Sequence, residues 1–348
     1  MSKVFFSREI SEKKLSELIE SAGIGDIVKK NHLSAIKIHF GEEGNIGYVK
    51  PNYARIVAEK IKSLGAKPFL TDANTIYVGS RADAVDHMVV AHKHGFTPEV
   101  TGGAPVIIAD GLRGNSGVDV EVNLKHFKTV SIASAIHYSD SIVFITHFKG
   151  HEISGFGGAL KNIGMGCATR EGKYKQHNSV VPSVNRSDCT GCGICIVWCP
   201  GDALKLQSDG FIALDPAKCL GCGECILSCP SRVFEIPWND AASNVQEKIV
   251  EYAYGVVGKK KCLYINFINF VTKFCDCYAT KEKPYFDEIG IAVSSDPVSI
   301  DAACADIVNE KFGGDFFKYI FPSIDWKVQL DYAESLVLGE KKYSLIEK

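Results

Sequence analysis

Two copies of one cysteine pattern constrain this chain more than any other feature. Cys189, Cys192, Cys195 and Cys199 form CxxCxxCxxxC with Pro200 next, and Cys219, Cys222, Cys225 and Cys229 repeat it with Pro230 next. What recurs is a set of thiols, and it recurs only once, so a solenoid is excluded. Four thiolates at these spacings suit the corners of a four-iron cube. Two-residue gaps let a tight loop wrap three corners, and the fourth cysteine, one helical turn on, reaches away. In such runs the fourth cysteine serves the other cluster. The pattern therefore assigns Cys189, Cys192, Cys195 and Cys229 to one [4Fe–4S] cluster, and Cys219, Cys222, Cys225 and Cys199 to a second.

Gly191, Gly193, Gly221 and Gly223 stand between ligands, where the backbone must approach sulfur closely and positive φ is expected. Ile194, Ile196, Val197, Ile212, Leu214, Ile226 and Leu227 flank the ligands and are expected to pack over the cubes and exclude water. Zinc ribbons carry two CxxC pairs divided by a loop. Two identical four-cysteine runs, each closed by proline, do not fit that scheme.

The rest of the chain of 348 residues has ordinary globular composition, 46% hydrophobic and 23% charged, with a formal net charge of -2. That balance gives no reason to expect a nucleic-acid partner. No apolar run of membrane-spanning length occurs, and Met1 to Lys14 lacks the apolar core of a signal peptide, so a cytoplasmic location is expected. Thirteen cysteines then read as metal ligands or redox groups before disulfides.

Outside the cysteine runs, strand and helix patterns alternate. Ala35–Phe40, Pro68–Thr71, Ala104–Ala109, Ser141–Thr146, Cys262–Phe267 and Ile289–Ser294 read as strands. Helices are expected from Pro51 to a stop at Gly65, and over Arg81–Gly95, Ala241–Val257 and Pro297–Glu310. Such alternation predicts an α/β fold, a mainly parallel sheet core with an inserted bacterial 2[4Fe-4S] ferredoxin-like α+β module. The expected domains are a discontinuous α/β unit, 1–182 and 238–348, and the ferredoxin-type unit 183–237.

Ligands of such sheets favour the loops after strand ends. His39, Glu42 and Asn45 follow the first strand, and Asp72, Asn74 and Thr75 the second. The densest group follows the strand ending near Thr146: His147, Lys149, His151, Glu152, then Gly155, Gly157, Gly158 and Lys161. It suggests an anion or metal site with acid/base groups, the helix start near Gly158 favouring negative charge. His39, His147, His151 and Lys161 are the candidate catalytic residues. HEISG at His151 is not HExxH, and the Gly155 run is neither GxGxxG nor a Walker loop.

Cys275 and Cys277 form a C-x-C pair that could meet one metal or substrate; on an extended chain Asp276 between them would face away. Cys167, Cys262 and Cys304 are expected in the core. Asp296 and Pro297 open a helix, and Asp301, one turn on, is a lesser ligand candidate.

IKIHFGEEGN, TDANTIYVGSR, THFKGHEISGFGGALKNIGMGC, the paired cysteine runs, FCDC and SSDPVSID occur in that order. Together they resemble the domain of unknown function 362 family in its ferredoxin-containing form, over nearly the whole chain. The resemblance implies two clusters on an α/β core and names no reaction. Residues 147–161 are also similar to the HF…G…GG…K stretch of nickel-dependent lactate racemases, but the spacing between His147 and Gly157 departs from it, and neither nickel nor racemase activity is carried over.

Three functions follow from these features. One is an electron-transfer protein that docks a redox partner protein. Another is a reductase whose clusters feed a small-molecule substrate near His147, His151, Lys161 and Cys275. The third is a metal-binding or assembly factor using Cys275 and Cys277.

Overall fold

The computed structural model describes residues 1–178, 181–237, 240–258, 260–277 and 283–348. The expected opening of the second α/β segment, at 238, lies outside the described residues. Among those described, eight strands form the central sheet: β1 (Ser2–Ser7), β2 (Leu33–Ile38), β3 (Lys67–Asp72), β4 (Val106–Ile108), β5 (Ser141–His147), β6 (Cys262–Val271), β7 (Phe286–Ser294) and β8 (Tyr343–Glu347). Their order is β8-β1-β7-β6-β5-β2-β3-β4. Only β7 runs against its neighbours, β1 and β6; every other pairing is parallel. The core is therefore an α/β arrangement on a large, mainly parallel sheet.

Alternation along the strands divides the apolar residues between two faces. Ile36, Ile38, Val143 and Ile145 face the helices Glu12–Ser21 and Pro51–Ser63. Ala35, Ile142 and Phe144 face the helices Ala159–Gly164, Ala242–Val257 and Pro297–Phe312. In Pro51–Ser63 the proline opens the helix, Gly65 (φ +78°) follows its end, and Ala54, Val57, Ala58 and Ile61 form the buried stripe. Ile56 and Leu64 only flank that stripe. Full burial of a side chain such as Val57 or Ile61 stabilises by about 1.5–3 kcal/mol. Cys167, Cys262 and Cys304 lie in the larger core.

Residues 183–237 sit apart from the sheet. Ser183 and Val184 pair antiparallel with Glu235 and Phe234, which brings the two ends of the segment together. Leu204–Leu206 pairs with Ile212–Leu214, and two short helices, Ile194–Val197 and Glu224–Ser228, precede Cys199 and Cys229. The four interligand glycines all have φ near +70°. Leu204, Ile212, Ile226 and Phe234 make a small core that includes Cys195 and Cys225. Ile194 and Val197 do not join it. Val197 is 80% exposed, because a four-residue helix beside the cysteines has one covered face and these two side chains lie on the other.

Candidate functional site

The strand order reverses between β2 and β5: β3 and β4 extend the sheet on one side, β6 on the other. Parallel strands diverge at such a switch point and leave a crevice beyond their carboxyl ends. A cavity of about 980 Å³ lies there, lined by His39 after β2, Asp72 of β3, Thr146 and His147 of β5, and residues of the segments that follow. His151, Lys161, Cys275 and Cys277 line it too, so the four candidate catalytic residues and the C-x-C pair are brought to one place, whereas Asn45, Asn74 and Gly155 do not line it.

Two buried charge networks shape the wall. Lys37 Nζ lies 2.8 Å from Asp72 Oδ1 and donates to Asn162 Oδ1 at 2.8 Å. Arg81, buried, reaches Glu42 (Nε–Oε2, 3.2 Å) and Asp72 (Nη1–Oδ2, 3.6 Å). Burial is the largest influence on Asp72 and opposes its charge, but Lys37, His87 and His39 together outweigh it and hold the carboxyl well below the usual range. The second network centres on Asp276, which lies 2.9 Å from His147 Nδ1 and 3.3 Å from Lys149 Nζ.

His147 Nε2 faces the carbonyl of Asn269 at 2.7 Å. Both ring nitrogens are thus engaged by acceptors within the wall, and His147 positions Asp276 rather than offering a free nitrogen to the cavity. Asp276 faces away from the two sulfurs as expected, but in a turn rather than an extended chain: its carboxylate anchors that turn from behind.

The sulfurs occupy the open side of the turn. Cys275 Sγ accepts from Cys277 N at 3.4 Å, and Cys277 Sγ lies 3.7 Å from His39 Nε2. His39 Nδ1 accepts from the Gly41 N–H at 2.9 Å, which leaves its proton on Nε2, facing sulfur. Burial, then the Arg81 charge, lowers the His39 pKa and favours this neutral ring. A hydrogen bond from Cys275, outweighing burial, together with His39 and the charge of Lys161, holds Cys277 well below the usual thiol range. The partner thiol, Cys275, is pushed well up by the shared hydrogen bond and by burial. Of the two sulfurs, the surroundings favour negative charge on Cys277 over Cys275.

Burial is the largest influence on Lys161 and opposes its charge, but the cysteine pair, Glu152 and Asp276 together outweigh it and raise its pKa. His151 Nδ1 accepts from the amides of Ile153 and Ser154 at 3.2 and 3.3 Å, so its proton also sits on Nε2. Burial and the Lys161 charge push its pKa well down. A thiolate, two neutral imidazole donors and an ammonium can support nucleophilic attack and proton delivery.

The helix start at Gly158 is not open to an anion. Asp301 fills it, accepting from Ala159 N at 2.7 Å and Leu160 N at 2.9 Å. Asp301 is therefore a cap for the Ala159–Gly164 helix, and Asp296 caps its own helix through Val298 N and Ser299 N.

Two smaller hollows lie in residues 183–237. One is lined by Cys189, Cys192, Cys195 and Cys229, the other by Cys199, Cys219, Cys222 and Cys225. Among the described residues, no three His, Cys, Asp or Glu side chains converge as ligands of a single ion would; each cysteine set surrounds a space instead.

The family model for a domain of unknown function, DUF362, matches residues 35–306, most of the chain. The chain belongs to the DUF362 family. No curated protein matches it. Among solved structures, the lactate racemase apoprotein from Thermoanaerobacterium thermosaccharolyticum is similar at 12% identity and a TM-score of 0.41, covering 88% of this chain. A Thermotoga maritima protein is similar at 11% identity and a TM-score of 0.38, covering 94%. This DUF362 chain spans 57% and 59% of the lengths of those two proteins.

Several cavity residues of this DUF362 chain escape sequence reasoning. Lys37 had a signal, a lysine inside the apolar strand run of Ala35–Phe40. Arg81 reads as the first residue of an expected helix, but that helix begins at Ala84 and Arg81 sits in the loop before it. Lys173 and His177 lie on Arg170–His177, a helix with no apolar stripe, yet both line the cavity. Burial drives the His177 pKa down to about 3, with Lys161 adding to it. Tyr174 and Arg170 of the same helix face the cysteine segment: Tyr174 joins its small core, and Arg170 pairs with Glu224.

Proposed function

We propose that this chain binds two [4Fe–4S] clusters and exchanges electrons between a redox partner protein and a small molecule held in the sheet-end cavity. Cys189, Cys192, Cys195 and Cys229 would hold one cluster, and Cys199, Cys219, Cys222 and Cys225 the other. The observation that carries the reading is the composition of the two hollows. Each is lined by the four cysteines that the crossed pattern groups together, and by no cysteine of the other group. Three further features support it: the positive φ of the interligand glycines, the apolar lining from Ile212, Val233, Leu204 and Leu214, and the pairing of the segment's two ends. Residues 183–237 are on this reading a ferredoxin-type module inserted into the α/β unit. When bound, the clusters supply reversible one-electron transfer at potentials set by their surroundings.

The chain's own residues suit the cavity to a reductive role. The Arg170–His177 helix is shared between the two regions, with Tyr174 beside the second cysteine loop and Lys173 and His177 at the cavity. Neutral His39 and His151 carry N–H groups that can donate hydrogen bonds beside the Cys277 sulfur and Lys161, and the Lys161 ammonium carries the transferable proton. Among the described residues no helix is long and apolar enough to cross a membrane.

The test is anaerobic reconstitution followed by iron and sulfide analysis and electron paramagnetic resonance after dithionite reduction. About eight irons per chain and a reducible signal are expected for two cubes. Trace iron without such a signal would overturn the proposal.

A further inference from the structure

Five cysteines stand outside the proposed cluster ligands. Three of them, Cys167, Cys262 and Cys304, are sealed in the larger core. The other two, Cys275 and Cys277, line the cavity in one turn, the Cys277 N–H donating to Cys275 Sγ at 3.4 Å. We propose that Cys275 and Cys277 form a dithiol–disulfide couple that exchanges with a low-molecular-weight disulfide bound in this cavity. The inference rests on the reading above, which it deepens by naming the substrate class.

The geometry assigns the two sulfurs different parts. Cys277 is half-buried, with the His39 N–H at 3.7 Å, while Cys275 is only 3% exposed. That is the arrangement of an attacking thiol and a resolving one. Attack requires a thiolate, and the charges around Cys277 favour one there. Asp276 fixes the turn to His147 and Lys149, so both sulfurs stay on the cavity side. The cavity volume is at the upper end of the range that small-molecule sites occupy.

The exchange balances. The Cys277 thiolate attacks one sulfur of RSSR, forming Cys277–S–S–R and releasing RS⁻. Cys275 then loses its proton and attacks Cys277 Sγ, and the second RS⁻ leaves and takes that proton as RSH. The products are the intramolecular disulfide, RS⁻ and RSH. Regeneration needs two electrons and one proton to give the Cys275 thiol and the Cys277 thiolate. By class the reductant is a low-potential one-electron iron–sulfur donor, and two bound clusters of the kind proposed above would supply the required pair.

The probe is glutathione disulfide, added anaerobically to the cluster-loaded full chain, with alkylation and peptide mass spectrometry as readout. In the wild type, Cys275 and Cys277 should together lose alkylation, with two glutathione thiols released per chain. Dithionite should then restore both cysteines. C275S should stall with one glutathionyl group on Cys277, and C277S should react at least about tenfold more slowly. If both cysteines of the wild type stay alkylatable while iron remains bound, the couple is refuted and the cluster reading stands. If iron is absent, the cluster reading falls, and the thiol result on wild-type protein still decides the exchange. Should C275S fold poorly, the wild-type peptide masses decide alone.

Discussion

Arg170 Nη1 lies 2.6 Å from Glu224 Oε1, with the two side chains 2% and 8% exposed. Glu224 sits between Gly223 and Cys225 in the second cysteine loop. Arg170 also donates to the backbone carbonyls of Thr75 and Ala82, beside the cavity. One buried ion pair thus joins the cysteine loop to the cavity wall. Burial pushes the Glu224 carboxyl up, against the pull of Arg170, so the acid depends on its partner. Removing one member of a buried pair costs about 3–5 kcal/mol, whereas replacing both with apolar groups is often near neutral. Because Arg113 also approaches Glu224, at 3.8 Å, the lower figure applies. Arg170→Leu should cost about 3 kcal/mol in urea unfolding. The Arg170→Leu/Glu224→Leu protein should lose clearly less than the sum of the single changes; additive losses would sever the proposed link.

Crossed ligation makes a prediction that single substitutions cannot test. If Cys199 serves the same cluster as Cys222, the double change C199S/C222S damages one site and leaves about half the iron. C199S/C195S then damages both and leaves little. Uncrossed ligation reverses the two results, and iron analysis of anaerobically reconstituted protein distinguishes them.

The sequence made the strands flanking the cavity legible because β2, β3 and β5 are short apolar runs followed by polar residues. It could not give strand order, since parallel pairing is decided by packing far along the chain. Neither β1 nor the edge strand β8 was read, nor was β7 as the antiparallel member. Cys275 and Cys277 were visible as a pair, but their geometry was not, because a turn held by Asp276 on His147 is a contact between residues 129 apart. Lys173 and His177 were hidden for a related reason: a polar helix normally marks solvent, and here it marks a cavity.

Gly158 and Asp301 are matched by close approach. A Cβ at Gly158 would lie 2.3 Å from Asp301 Oδ1, so Gly158→Ala should displace the cap and cost about 1–3 kcal/mol. Asp301→Ala leaves buried amides without acceptors, a loss of about 1–3 kcal/mol. Asp301→Asn keeps one acceptor and should cost less. The comparison depends on pH. Burial raises the Asp301 pKa to about 6, against the amides of Leu160 and Ala159. The folded value lies above the unfolded one, so the group's contribution is fullest below about pH 4. It is lost as pH rises through 6. The stability gap between wild type and Asp301→Asn should therefore narrow from pH 4 to pH 7 in denaturant titrations. A gap independent of pH would mean that Asp301 ionises normally.

Cys277 should betray its thiolate by the pH dependence of alkylation. An ordinary thiol loses reactivity about tenfold per pH unit below its pKa, because only the thiolate attacks. Its partner Cys275 supplies a hydrogen bond that outweighs burial, and His39 and Lys161 add to it, so Cys277 titrates well below that range. Its iodoacetamide rate should consequently stay nearly flat from pH 9 down to neutrality, while an unfolded control falls steeply. Lys161→Met removes one of the stabilising charges and moves the Cys277 pKa up. The rate near pH 6 should then drop several-fold, while the rates at pH 10 converge, since both proteins are thiolates there. His39→Ala removes the N–H facing sulfur at 3.7 Å and should shift the profile in the same direction. A Lys161→Met profile that overlays wild type across the whole range would show that this lysine does not act on the sulfur.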